Sequence, residues 1–218
     1  MPGLSIDARR TLTTMGAELS AEFATFEPDE VLIAHCKARN PAPFEPQYPD
    51  LDASYAARRH IDLAALRPML ALPDSVIRNA VPVADATREL IQQAFIGSCA
   101  NGTLDDLAEA ARVLQGRRVA PGVRLLVTPG SQRIATEAAR AGYTQILLEA
   151  GAVVTPATCG ACYGGHMGVL GPGETCITAS TRNFRGRMGH ESARIYMASP
   201  ATVAASAVAG HIADASEL

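Results

Sequence analysis

Ala94-Phe95-Ile96-Gly97-Ser98-Cys99-Ala100-Asn101-Gly102-Thr103-Leu104-Asp105-Asp106-Leu107 joins a strand to a helix around a single cysteine. Ala94–Gly97 reads as a strand and Thr103–Leu114 as a helix. Thr103 ahead of Asp105 and Asp106 suits an N-cap followed by an acidic first turn, where carboxylates meet the positive end of the helix dipole. Cys99 thereby falls at the C-terminal end of a strand and just before a helix, where open α/β sheets place ligands. Proximity to a helix N-terminus also favours the charged, ligating form of its thiol.

The alternation continues downstream. Val123–Thr128 reads as a strand, Gln132–Ala141 as a helix and Gln145–Ala150 as a short apolar element. Strands are expected near Cys176–Ala179 and Arg194–Ala198, and a last helix from Pro200 to about Ile212. This βα pattern predicts an α/β fold, a three-layer α/β/α arrangement with a mainly parallel sheet, over residues 85–218. Residues 1–84 read differently, as a helical segment and a proline-rich extended region packing on that domain. Leu12, Met15, Leu19 and Phe23 recur at helical spacing, and Glu27-Pro28-Asp29-Glu30 resembles the acidic start of a second helix ending near Ala38. Pro41, Pro43, Pro46 and Pro49 make a loop of 40–52, His60–Leu63 reads as a short strand, and the stretch around Pro68, Pro73 and Pro82 looks extended.

Bulk properties narrow the function classes. A chain of 218 residues with 48% hydrophobic content can bury a real core, in one or at most two domains. The net charge of −3 and the lack of any Lys/Arg stripe argue against a nucleic-acid partner. No stretch approaches the roughly 18 uninterrupted apolar residues of a membrane span, and no signal segment is visible. The five cysteines, an odd number, read poorly as a disulfide framework, so a reducing cytoplasm is expected. Arginine far outnumbers lysine, which favours planar recognition of carboxylates.

Two further clusters carry chemistry. Cys159 and Cys162 form a C-x-x-C pair in a loop with Gly160, Gly164, Gly165 and Gly168. With the distant Cys99 they make three thiolates, one fewer than an electron-transfer [4Fe–4S] cluster normally takes, which would leave one iron open as a Lewis acid. Zinc with His166 as a further ligand, or a thioredoxin-type dithiol, remain alternatives on the local pattern. Arg182, Arg185 and Arg187 fall within six residues. Near an anionic site they could grip carboxylates in two-toothed fashion; without one they would be a solvated loop. Cys36 reads as an incidental thiol, Cys176 as buried packing, and His35, His60 and His211 as structural or solvated. His166 and His190 lie near the chemistry, and Ser98 and Asn101 either contact a ligand or shape the turn.

Phe95-Ile96-Gly97-Ser98-Cys99-Ala100-Asn101-Gly102 with Leu104-Asp105-Asp106-Leu107, then Pro129-Gly130-Ser131, then Cys159-Gly160-Ala161-Cys162-Tyr163-Gly164, then Arg182-Asn183-Phe184-Arg185-Gly186-Arg187, follow the order found in the aconitase superfamily. The chain resembles in particular the large subunits of 3-isopropylmalate dehydratase and homoaconitase-type enzymes, from about Ser5 onward. The resemblance implies an aconitase-like iron–sulfur domain with Cys99, Cys159 and Cys162 as ligands of a [4Fe–4S] cluster. It implies Arg182 and Arg187 as binders of substrate carboxylates. Thr14-Met15-Gly16-Ala17-Glu18-Leu19 resembles the family segment whose glutamate reaches the active site, which implicates Glu18 as catalytic. Two positions depart from the family pattern: Thr181 stands where asparagine usually precedes the first arginine, and Ala100 where threonine usually follows the first cysteine.

The resemblance further implies a partial chain, either a naturally split subunit or an excised piece. The expected partners are a small swivel-domain subunit bringing a serine base and another arginine, and a chain or domain supplying the N-terminal half. The expected activity is that of a hydro-lyase component acting on a hydroxy di- or tricarboxylate such as isopropylmalate, inactive alone. The alternative is a non-catalytic, cluster-binding or regulatory member of the same superfamily.

Overall fold

The computed structural model describes residues 3–218, which form two compact units divided between Leu66 and Arg67. None of the helices among the described residues is long and apolar enough to cross a membrane.

The larger unit is built on a seven-stranded sheet. Its strands are β1 (Met69–Ala71), β2 (Ala80–Pro82), β3 (Gln93–Gly97), β4 (Arg124–Thr128), β5 (Val153–Val154), β6 (Thr175–Thr178) and β7 (Arg194–Met197), in the order β2-β1-β7-β6-β3-β4-β5. All pairings from β7 to β5 are parallel, with Gln93 opposite Arg124 and Cys176 in the centre. The hairpin β1–β2 is antiparallel and joins the sheet where Ala71 pairs with Met197 of β7. The proline-bounded stretch 67–84 therefore belongs to the sheet, and the division falls at 66/67 rather than 84/85.

One face of the sheet is covered by helices. In α4 (Leu104–Leu114), Leu107, Ala110, Ala111 and Leu114 recur at helical spacing and are buried, while Glu109 and Arg112 pair on the outer side. The helix starts where the sequence places it: the Thr103 hydroxyl accepts from the Asp106 N–H at 3.3 Å, and the Asp106 carboxylate accepts from the Thr103 N–H at 2.9 Å. α5 (Gln132–Arg140) buries Ile134 and Ala138. The Gln145–Ala150 element is helical, α6 (Tyr143–Glu149). α7 (Pro200–Ala209) is capped by Ser199 and stops at Gly210, earlier than Ile212. These helices bury Ala94, Ile96, Leu125, Val127 and Ile177 of the sheet.

The alternate residues, Phe95, Leu126, Cys176 and Ile195, point to the opposite face. They are covered by Ala161, Leu170, Met188 and Ala193, all from the largely irregular stretch between β5 and β7. The α/β fold with a mainly parallel sheet is thus present, and one of its outer layers is this irregular stretch. That layer carries both the cysteine loop and the arginine loop.

The smaller unit holds α1 (Ile6–Met15) and α2 (Glu30–Arg39). The periodic run from Leu12 to Phe23 does not continue as one helix. After Met15 the chain tightens into a 3-10 turn, Ser20 adopts a left-handed conformation, and Phe23 stands 81% exposed. His60–Leu63 is likewise not a strand; Leu63–Ala65 is a 3-10 turn whose Ala64 N–H is met by the Asp62 carboxylate. Among the described residues no strand pairs with this stretch, and the local acidic cap prevails.

Arg9 links the two helices. Its guanidinium donates to both Asp29 oxygens at 2.8 and 2.7 Å, while Asp29 also accepts from the Leu32 N–H at the start of α2. These hydrogen bonds, the Arg9 one foremost, hold the Asp29 carboxyl well below the usual carboxylate range. A depressed folded-state pKa stabilises the fold fully above the unfolded value of about 3.9, and that contribution is lost as pH falls through the depressed value. Acid titration followed by hydrogen exchange is expected to show the α1–α2 pair loosening below about pH 4, and Asp29→Asn to flatten that dependence. An unchanged acid profile in the variant would contradict the assignment.

Candidate iron–sulfur site

Cys99 is presented by an unusual turn. Gly97 closes β3 with φ +149°, and a Cβ there would lie 2.4 Å from the Thr128 carbonyl oxygen, so β3 and β4 approach too closely for any other residue. Ser98 follows at φ +66°, a left-handed conformation that costs a non-glycine residue about 1–2 kcal/mol. The short helix α3 (Ser98–Asn101) then carries Cys99 outward, with its side chain exposed.

The second pair is placed from beneath. Thr128 at the end of β4 hydrogen-bonds Thr155 at 2.8 Å, and Thr155 donates in turn to the Pro156 carbonyl at 3.1 Å. This fixes where the cysteine loop leaves the sheet. Gly160, at φ +56°, lies directly over Thr128 and Phe95. The Cys162 N–H donates to the Cys159 carbonyl at 3.1 Å, which closes the C-x-x-C turn, and neither thiol is in a disulfide.

These elements surround a cavity of about 520 Å³. Cys99, Cys159, Cys162 and Arg187 all line it, together with Ser131 and Tyr163. Residues sixty positions apart are brought together because β3 and β4 are neighbours and the cysteine loop folds back over them. Arg187 donates from Nε to the Cys162 carbonyl at 2.8 Å and from Nη2 to Cys162 Sγ at 3.4 Å.

Arg182 is half-buried and Thr181 buried in the loop that follows β6, and neither lines this cavity. Glu18 belongs to the smaller unit, on its 3-10 turn. His166 is exposed, with Nδ1 3.3 Å from the Gly160 carbonyl, and His190 is bonded to Ser192; neither lines the cavity. Cys176 is fully buried beneath the loop, and burial pushes its thiol up to about 12. It remains a protonated packing group. Ser131 and Tyr163 escaped the sequence reading as lining residues. Ser131 stands in the quoted Pro129-Gly130-Ser131 run, but its position on the wall depends on α5, whose N-terminus it caps.

Among the described residues, no three His, Cys, Asp or Glu side chains converge on one point as ligands of a single metal ion. In a cluster the thiolates bind to different irons and need not converge on one point; Cys99, Cys159 and Cys162 all line the same cavity. Three thiols outside any disulfide, an adjacent guanidinium and the cavity volume fit such a group.

Comparison with known families places the chain. A model of the aconitase family (aconitate hydratase) matches residues 1–210. The chain belongs to the aconitase family. Among curated members of the family, it is 60% identical over 217 residues to the 3-isopropylmalate dehydratase large subunit of Mycolicibacterium smegmatis, covering 98% of this chain and 51% of that protein. It is 44% identical to 3-isopropylmalate dehydratase large subunit 2 of Rubrobacter xylanophilus, over 97% of this chain and 50% of that protein. It is 53% identical over 171 residues to the homoaconitase large subunit of Thermus thermophilus, covering 78% of this chain and 41% of that protein. The chain spans about half the length of the curated relatives it matches.

Proposed function

We propose that this aconitase-family chain supplies the cluster-holding wall of a hydro-lyase acting on a hydroxy di- or tricarboxylate such as isopropylmalate. The observation that carries the reading is the shared cavity of Cys99, Cys159, Cys162 and Arg187. The three thiolates would hold a [4Fe–4S] cluster with no fourth cysteine on the cavity wall. When bound, that group supplies a Lewis-acidic iron to the substrate's hydroxyl and a carboxylate.

The chain's own residues do the rest of what this wall can do. Arg187, and Arg182 in the loop after β6, would bind substrate carboxylates, where a planar guanidinium offers paired N–H donors. Thr181 beside Arg182 is shorter than the family's asparagine and offers a hydroxyl in place of an amide, which bears on which acid is accepted. Glu18 would accept a hydrogen bond from the water or hydroxyl being exchanged. Proton removal next to a carboxylate needs a base held within reach, and none of the residues lining the cavity is a carboxylate or a histidine. We assign that role to a partner.

Two partners complete the reading: a small swivel-domain subunit, and a chain or domain equivalent to the N-terminal half of the relatives. The relatives named above are large subunits, and this chain spans about half of their length. The smaller unit supports the same reading, because among its described residues only Arg9 and Gly16 are buried. Leu12, Leu19, Phe23, Leu51 and Ile61 are each more than half exposed. We read these exposed apolar side chains as surface offered to such a partner.

The test is assembly. The chain is reconstituted anaerobically with iron and sulfide, then assayed alone and with the two complementary polypeptides for dehydration of isopropylmalate. Turnover only in the assembly is the expected result. Turnover by the chain alone would overturn the partner assignment, and an assembly that holds a cluster without dehydrating would favour a non-catalytic role.

A further inference from the structure

Arg187 is tied to the cysteine loop more closely than carboxylate binding requires. Its Nε–H meets the Cys162 carbonyl at 2.8 Å and an Nη2–H meets Cys162 Sγ at 3.4 Å. Its own carbonyl accepts from the Gly164 N–H at 2.9 Å, so the chain on both sides of Tyr163 is anchored to one residue. The Phe184 ring lies 5.5 Å from the guanidinium carbon and limits how the group can turn.

A guanidinium has five N–H donors arranged in a rigid fork. The edge made by Nε and Nη2 is occupied by Cys162. A carboxylate bound in two-toothed fashion must then use the outer edge, made by Nη1 and the second Nη2 proton. One planar group would so touch a thiolate ligand on one side and the substrate on the other. Lysine cannot do this, because its ammonium is a point charge without a fork.

We propose that Arg187 is a positioning residue for Cys162, fixing the C-x-x-C turn and donating a charge-assisted N–H···S hydrogen bond to the ligating thiolate, while offering only its outer edge to a carboxylate. The inference rests on the reading of Cys99, Cys159 and Cys162 as cluster ligands. Hydrogen bonds to sulfur draw electron density from a cluster and make its reduction easier. Loss of such a supporting contact typically weakens metal binding by about 10–100-fold.

The test compares wild type, Arg187→Lys and Arg187→Gln. In the reconstituted chains, redox titration and the rate of iron loss to a chelator are measured. In the cluster-free chains, hydrogen exchange of residues 157–165 is measured. Arg187→Lys is expected to titrate at a more negative potential, to lose iron roughly tenfold faster or more, and to exchange faster in the loop. Arg187→Gln, which keeps planar N–H donors without the charge, is expected to retain more of the loop's protection than Arg187→Lys. Equal potential, iron retention and loop exchange in all three chains would overturn the proposal. A wild-type chain that takes up no cluster would overturn the ligand reading instead, and the exchange measurement would still decide whether Arg187 holds the loop.

Discussion

Cys99→Ser is expected to abolish stable uptake of iron and sulfide while leaving the fold intact. Serine matches cysteine in shape, but its hydroxyl is far less acidic than a thiol and does not supply a thiolate. Cys99 is exposed on a four-residue helix, so the substitution removes little packing. Surface changes of that kind usually alter stability by less than about 0.5 kcal/mol. Visible absorption and the iron-to-protein ratio after anaerobic reconstitution read the cluster, and thermal melting of the cluster-free chain reads the fold. Cys36→Ser serves as the comparison, since Cys36 lies on α2 in the smaller unit and should change neither. Equal iron uptake by Cys99→Ser and wild type would remove Cys99 from the ligand set. Weaker uptake accompanied by a large fall in melting temperature would point to a damaged fold rather than a lost ligand.

Gly160→Ala is expected to be among the most destabilising single substitutions in the larger unit. Two costs add. The residue holds φ at +56°, which costs an alanine about 1–2 kcal/mol. Its Cβ would also lie 2.3 Å from Thr128 Oγ1 and 3.1 Å from the Phe95 ring. Neither can retreat freely, because Thr128 is bonded to Thr155 and Phe95 is fully buried. Forced overpacking of this kind costs typically about 1–3 kcal/mol, so the total is on the order of 2–5 kcal/mol. Urea unfolding would register this as a lower midpoint. Thr128→Ala in the same chain separates the two costs, since it removes the atom that clashes but not the backbone strain. The double variant is expected to be more stable than the sum of the single effects predicts. Strict additivity would show that the hydroxyl contact is not what excludes a side chain at 160. Because Gly160 sits between the two cysteines of the loop, cluster uptake should fall together with stability.

Much of this was visible in the linear sequence, for reasons that are local. Thr103 and Asp106 cap α4 as their spacing suggested, because a capping box needs only residues three apart. β3, β4, β6 and β7 were expected within a residue or two of their bounds, because a buried parallel strand is a short apolar run. Where a local signal met no tertiary support, the expectation failed: 60–63 forms no strand, and the helical spacing through Phe23 breaks at Met15. The hairpin β1–β2 was hidden for the opposite reason. Its three-residue strands carry little pattern of their own and are held by pairing with β7, more than a hundred residues away.

The candidate site divides along the same line. The sequence by itself determined which thiols and arginines the chain offers, and the family that orders them so, because side-chain chemistry and short spacings are written in the chain. Only the tertiary structure decided that Cys99 and the C-x-x-C pair face one cavity, that Arg187 rather than Arg182 stands on its wall, and that Cys176 is sealed beneath it. Those outcomes depend on which strands are neighbours and on which face of the sheet each residue meets. Parallel pairing and close packing set both, across separations that no local pattern spans.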